Sequence, residues 1–121
     1  MSEELKHTTR QLIELLDRVE VHRKRALSRG ETADFETEIR PFTMEVLDVL
    51  ERWKLLATQW IEEKRPKTFH VMQIEQTIEN MHRLSLLGFD PKASALKFQQ
   101  HVESTRYNFT RFLTLVEETE K

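Results

Sequence analysis

Two Glu-x-x-His pairs are the first residues in this chain whose types and spacing suggest chemistry. They are Glu4 with His7 and Glu79 with His82. A di-iron carboxylate site in a helical bundle needs two such pairs and a Glu from each of two further helices, all pointing inward. The two pairs here would be offset along parallel helices by on the order of 10 Å. Glu79 and His82 also each follow a core position by one residue and so face sideways. The spacing therefore disfavours a dinuclear site.

The other three histidines, His22, His70 and His101, are candidates for a mononuclear metal site or a small-ligand site. His22 follows the apolar Val19 by three residues and is the best inward candidate. No two of the three have the i, i+4 spacing on one helix face that marks a metal site. A boundary or surface position is the simpler interpretation of each, and we predict no cofactor. The alternative is a bundle that binds a small ligand or a metal ion, and an enzyme falls within that alternative.

A basic stretch surrounds the second proline and is the most distinctive part of the chain. It contains Lys64, Arg65, Lys67 and His70 around Pro66. We interpret it as a corner between two helices that faces acidic residues at the same end of a bundle, namely Glu3, Glu4, Glu117, Glu118 and Glu120. By the same argument, the basic end of the first helix is expected near Glu31, Asp34, Glu36 and Glu38. This corner is also the candidate surface for contact with a partner.

The composition indicates which elements position these side chains. The chain has 121 residues with only two glycines, three prolines and no cysteine. So few turn residues favour long helices, and the lack of cysteine excludes disulfides and thiolate chemistry. The net charge of −2 supplies no general attraction for nucleic acid or an anionic membrane. No apolar stretch has the length of a secretion signal or a membrane span, so we expect a cytoplasmic protein.

Helix boundaries follow from apolar spacing and from the glycines and prolines. The first helix is predicted from a cap at Ser2 to about Arg29, with Gly30 in the left-handed conformation. A short turn follows over Phe35 to Ile39. Pro41 is then expected to move Arg40 out of helical geometry and to occupy the first position of the second helix, which Pro66 ends.

The third helix is predicted to start between Thr68 and His70, and Gly88 should end it in the left-handed conformation. The fourth helix carries a seam at spacings of three and four, formed by Ala95, Phe98, Val102, Thr105, Phe109, Phe112 and Val116. Thr105 should be a polar residue tolerated in the core and able to bond its own helix backbone, and Trp53 and Trp60 should belong to the core. These elements predict an all-α, antiparallel up-down-up-down four-helix bundle in a single domain, residues 1–121.

Apolar positions beyond the main stripes leave the oligomeric state open between monomer and homodimer. Ile13 and Leu16 widen the face of the first helix, and Leu86 lies beside Leu87 in the third. A wide core face is the preferred interpretation, and a dimer patch is the alternative.

Several motifs carry a resemblance to a known family. "DFETEIRP" (34–41), Trp53, and "KRPKTFHVMQIEQTIEN" (64–80) resemble the YppE-like family, small uncharacterised proteins of Bacillus-type bacteria. The match covers residues 34–89. The resemblance implies a cytoplasmic four-helix bundle and implies neither an activity nor functional residues. From the residues themselves, the preferred hypothesis is a non-enzymatic interaction module that contacts another protein through Lys64, Arg65, Lys67 and His70.

Overall fold

The computed structural model describes residues 2–120, which form an all-α bundle with no strand in that range. Its helices are α1 (Glu3–Arg29), α2 (Arg40–Lys64), α3 (Val71–Leu87) and α4 (Ala95–Thr119). A single π-turn, Phe35–Ile39, leads directly into α2. None of these helices combines the length and the apolar character that crossing a membrane requires.

Side-chain contacts between helices give the direction of each. Along α1 and α4, Lys6 pairs with Glu120, Arg10 with Glu117, and Arg106 with Asp17, so residue numbers rise on one helix as they fall on the other. Between α1 and α2, Trp53 bonds Thr9 and Arg18 pairs with Glu45 in the same inverse order. α3 runs antiparallel to α4, because Phe69 just before α3 packs on Phe112, whereas Leu87 at the end of α3 shares a cleft with Phe98. The predicted antiparallel up-down-up-down arrangement is confirmed.

Within a largely aliphatic core, several aromatic rings pack edge to face, an arrangement that such rings prefer. Trp53 meets Phe109 and Phe112 at centroid distances of 5.2 and 5.6 Å, and Trp60 meets Phe112 at 5.6 Å. The Trp53 indole also donates to Thr9 Oγ1 at 2.9 Å. Both tryptophans are therefore core residues, as predicted. The seam of α4 is buried from Phe98 to Val116, whereas Ala95 is exposed because it lies at the first residue of the helix.

The two glycines serve different purposes. Gly30 ends α1 with φ 73, as predicted. The prediction of a left-handed Gly88 is wrong, because Gly88 has φ −57 and ψ −22. A Cβ at Gly88 would lie 3.0 Å from Val19 Cγ1 and 3.2 Å from the Val19 carbonyl oxygen. Glycine is needed at this position so that the end of α3 can approach the backbone of α1.

The prediction that Pro41 moves Arg40 out of helical geometry is also wrong. Arg40 has φ −58 and ψ −50, and its N–H donates to the Phe35 carbonyl across the π-turn. Asp34 begins this turn by accepting from the Thr37 N–H at 2.9 Å. The steric effect of a proline on the preceding residue is a preference, and here the hydrogen bonds of the π-turn outweigh it. Pro41 still lies in the first turn of α2.

Thr105, like Thr43, differs from the buried threonines that bond their own helix backbone. Thr9 and Thr77 donate to the carbonyls four residues earlier at 2.7 and 2.6 Å. Thr105 is buried in the core, as predicted, but its Oγ1 has no hydrogen-bond partner among the described residues, so the expected bond to its own helix backbone is absent. A helical threonine divides between two rotamers, and the hydroxyl of Thr105 is left inside the seam without the local bond.

Candidate functional site

The basic corner, defined here as residues Lys64 to His70, is held in place by one buried ring. α2 ends at Lys64, and Arg65 reverses the chain in the left-handed conformation at φ 46 and ψ 57. Phe69 is fully buried and packs on Phe112 at 5.0 Å between centroids. Arg111 lies over the Phe69 ring and donates to the Thr68 carbonyl at 2.9 Å. The corner is thus an ordered loop whose charged residues project around a buried anchor.

His70 begins α3 and is exposed. Its backbone N–H donates to Gln73 Oε1 at 2.7 Å, so the Gln73 side chain caps the end of the helix. Lys64, Arg65 and Lys67 are exposed as well. The structure therefore places all four predicted surface residues together on one solvent-facing corner.

Three of the acidic residues expected near the basic corner, Glu3, Glu117 and Glu120, pair with cations of α1. The cleft lined by Ser2, Lys64 and Glu120 shows that the corner lies beside the start of α1 and the end of α4, as predicted. Lys6, however, binds Glu120 at 2.7 Å and Glu3 at 2.8 Å. Within residues 2–120, Lys64, Arg65 and Lys67 make no ion pair. The corner therefore lies at the same end of the bundle as the expected acidic residues but does not pair with them, because Lys6 binds Glu3 and Glu120 and Arg10 binds Glu117.

These contacts change the titration of the groups involved. Hydrogen bonds from Lys6 lower the pKa of Glu120 and of Glu3, and those two carboxylates raise the pKa of Lys6, with Glu120 the larger cause. At the other end, Arg29 pairs with Glu38 at 3.1 Å, which confirms Glu38 as an acidic neighbour of the end of α1. The Asp34 N–H is the main cause that lowers the pKa of Glu38, followed by Arg29.

The three candidate histidines lie apart. His22 is half-buried between the rings of Phe42 and Phe89, at 4.7 and 4.5 Å, and burial lowers its pKa. His70 lies at the opposite end of α3 from Phe89, a helix length of about 25 Å. His101 faces a cleft between the end of α3 and the start of α4. Glu4, His7, Glu79 and His82 are all exposed. Residues 2–120 contain no cluster of three or more potential metal ligands.

One buried cation was missed by the sequence analysis. Arg23 is 5% exposed, and its guanidinium donates to the carbonyls of Asp90 and Ala93 at 2.5 and 2.6 Å. The same group lies over the Phe98 ring at 5.1 Å. We call this set of contacts the Arg23 clamp, because it ties the α3–α4 connection to α1. The signal was available in the sequence, since position 23 falls on the buried stripe between Val19 and Ala26.

An exposed apolar patch lies where the π-turn meets α2 and α3. Phe35, Met44 and Leu86 are 57%, 51% and 44% exposed and surround a cleft of about 230 Å³. The other extra apolar positions lie inward: Leu16 is fully buried, and Ile13 and Leu87 pack against the core. The wide-core interpretation therefore holds for these three residues, whereas Leu86 belongs to the patch.

A second cleft separates the end of α3 from the start of α4 and has a volume of about 350 Å³. Leu87, Ala93 and Phe98 supply its apolar surface, and Ser94, Lys97, Gln100 and His101 supply its polar groups. The sequence did not reveal this cleft, because its walls come from two helices and their connection.

Comparison with known proteins supports the fold. A crystal structure of a Listeria innocua protein of unknown function is 23% identical, with a TM-score of 0.89, covering 97% of this chain and 94% of that one. A crystal structure of YppE from Bacillus subtilis is 24% identical, with a TM-score of 0.89, covering 100% and 99%. A Staphylococcus aureus structure is 20% identical, with a TM-score of 0.84, covering 92% and 94%.

A search of curated proteins gives no match. The family described as bacterial domain of unknown function DUF1798 matches residues 9–116, which include all of α2 and α3 and most of α1 and α4. The Staphylococcus aureus structure is described as a member of that same family. The resemblance to YppE-like proteins is therefore confirmed, and the chain belongs to the DUF1798 family of bacterial domains of unknown function.

Proposed function

We propose that this protein is a non-enzymatic, cytoplasmic interaction module that binds an acidic segment of another protein through the basic corner. The observation that carries the proposal is the concentration of three exposed cations within four residues, at 64, 65 and 67, with no ion pair in the described part of the chain. Lys6 and Arg10, at the same end of the bundle, are both paired. The corner thus presents charge that the fold itself does not use.

The local structure suits this role. Phe69 fixes the loop against the core, so the backbone carrying the cations loses little further freedom when a partner binds. The side chains remain free to adjust to carboxylates. Exposed charges of this kind chiefly accelerate association and select partners of complementary charge.

The test is capture of partners from native cells. The variant Lys64→Glu/Arg65→Glu/Lys67→Glu reverses the charge of the corner. The matched control Arg52→Glu/Lys54→Glu/Lys92→Glu makes the same charge change at exposed positions elsewhere. Circular dichroism confirms that both variants fold. We expect a stoichiometric acidic partner with the wild type and the control, and its loss with the corner variant. Equal capture by all three proteins would remove the corner from consideration.

A further inference from the structure

We propose that the cleft between α3 and α4 binds a small amphiphilic monocarboxylate, with its apolar tail against Leu87 and Phe98 and its carboxylate at Lys97 and His101. This site lies at the opposite end of α3 from the basic corner. It does not depend on the interaction proposed for that corner.

The interior of the cleft is suited to an apolar tail. Leu87 is half-buried at the last residue of α3, and Phe98 lies in the first turn of α4 with its side chain largely buried. Ala93 closes the cleft from the connecting segment. The volume of about 350 Å³ falls at the lower end of the range typical of small-molecule sites. A medium-length alkyl chain is therefore a better fit than a large cofactor.

The polar groups at the rim favour an anionic head group. Lys97 and His101 are four residues apart on α4, so both project from one side of the helix toward the same cleft. Lys97 makes no ion pair within residues 2–120, and an imidazole has at least one N–H to donate. The lining residues include no Asp or Glu. One ammonium group, with the Ser94 hydroxyl and the Gln100 amide beside it, matches a single carboxylate better than a doubly charged phosphate.

The site is organised before any ligand binds. Arg23 holds the Ala93 carbonyl at 2.6 Å and lies over the Phe98 ring, so it fixes two walls of the cleft from behind. The Ser94 side chain accepts from the Lys97 N–H at 3.3 Å and sets the start of α4. A cleft with fixed walls loses little conformational freedom on binding, which favours affinity for a small ligand.

The probe is octanoate, titrated into the whole protein and followed by calorimetry and by amide chemical shifts. We expect saturable binding with the largest shifts at Ala93, Phe98 and His101. Acetate, which lacks the tail, and octylammonium, which reverses the head charge, should each bind at least about tenfold more weakly. Octanol distinguishes a purely apolar cleft from one that recognises the carboxylate.

Two substitutions complete the test. Lys97→Glu should weaken octanoate binding by about tenfold or more. The matched control Lys92→Glu changes an exposed lysine outside the cleft and should leave binding unchanged. Ala93→Leu should fill the cleft and remove binding while the bundle stays folded. Three outcomes would overturn the proposal: no saturable octanoate binding, binding of octanol or octylammonium as tight as that of octanoate, or equal effects of the two lysine variants.

Discussion

The two ends of the bundle use positive charge in opposite ways. At the Arg23 clamp the guanidinium is buried and satisfies two backbone carbonyls of the α3–α4 connection. At the basic corner, Lys64, Arg65 and Lys67 are exposed and make no ion pair among residues 2–120. Both connections are held by an arginine that donates to a backbone carbonyl and lies over an aromatic ring. At the α3–α4 connection this is the buried Arg23. At the α2–α3 connection it is Arg111 of α4, over the buried Phe69 ring, and not one of the corner's own cations. At both connections, the cation that binds the carbonyls comes from another helix, whereas the exposed cations of the basic corner itself stay available.

Removal of one cation at each end should give the largest difference in the free energy of unfolding. Arg23→Ala leaves two carbonyls without their donor and uncovers Phe98, so we expect it to lower the free energy of unfolding by about 3 kcal/mol. Lys67→Ala removes an exposed, unpaired charge and should change it by less than about 0.5 kcal/mol. Urea unfolding followed by circular dichroism measures both values. Similar losses for the two variants would show that the ends do not differ in this way.

A second pair of variants compares the backbone at the same two ends. Gly88→Ala places a Cβ 3.0 Å from Val19 Cγ1. Overpacking of this kind lowers the free energy of unfolding by about 1–3 kcal/mol. Arg65→Gly removes a side chain from a left-handed residue. This variant should raise the free energy of unfolding by between zero and about 1 kcal/mol. Relief of backbone strain stabilises the folded chain, and the greater freedom of glycine in the unfolded chain offsets part or all of that gain. Thermal unfolding of both variants tests the contrast. A stable Gly88→Ala protein would contradict the close approach of α3 to α1.

The smallest expected effect is a pH dependence at the clamped end. Burial, Arg25 and Arg18 lower the pKa of His22, and only Glu38 opposes them, while Phe42 and Phe89 supply the apolar surroundings. The unfolded chain therefore binds a proton at His22 more readily than the folded chain does. The contribution of His22 to stability is fully present above its ordinary pKa of about 6.5 and decreases as pH falls through that value toward the lowered pKa.

His22→Leu checks this dependence, because it removes the titrating group and keeps an apolar side chain. Between pH 7 and pH 5, the free energy of unfolding should fall less in His22→Leu than in the wild type. Urea unfolding at each pH measures both changes. An identical pH dependence in the two proteins would mean that other groups account for it.

Much of the architecture was predictable because it depends on local patterns. Apolar spacing located the buried faces, and Gly30 and Pro66 marked the ends of α1 and α2. The short turn at Phe35 to Ile39 was located from the sequence, although its π-type hydrogen bonding was not. The candidate surface was predictable in the same sense, because Lys64, Arg65, Lys67 and His70 follow one another closely along a corner that Pro66 indicates.

Errors arose where one residue can serve two purposes. Gly88 carries the signal of a left-handed helix end, yet it is glycine because α1 passes close to it. Arg23 belongs by composition to a basic run, yet it is buried because two carbonyls face it across the bundle. Lys6 is far from the basic corner in sequence, yet it binds Glu120, which was predicted to face that corner.

By itself, the sequence determined that this protein is a bundle of four long antiparallel helices, because breakers and apolar periodicity act within one helix or between neighbours along the chain. Only the tertiary structure decided which cations are structural, where Phe35, Met44 and Leu86 form an exposed patch, and that Lys97 and His101 face one apolar cleft with Leu87. Those outcomes depend on distances between residues that are remote in sequence, and such distances exist only after the helices have packed.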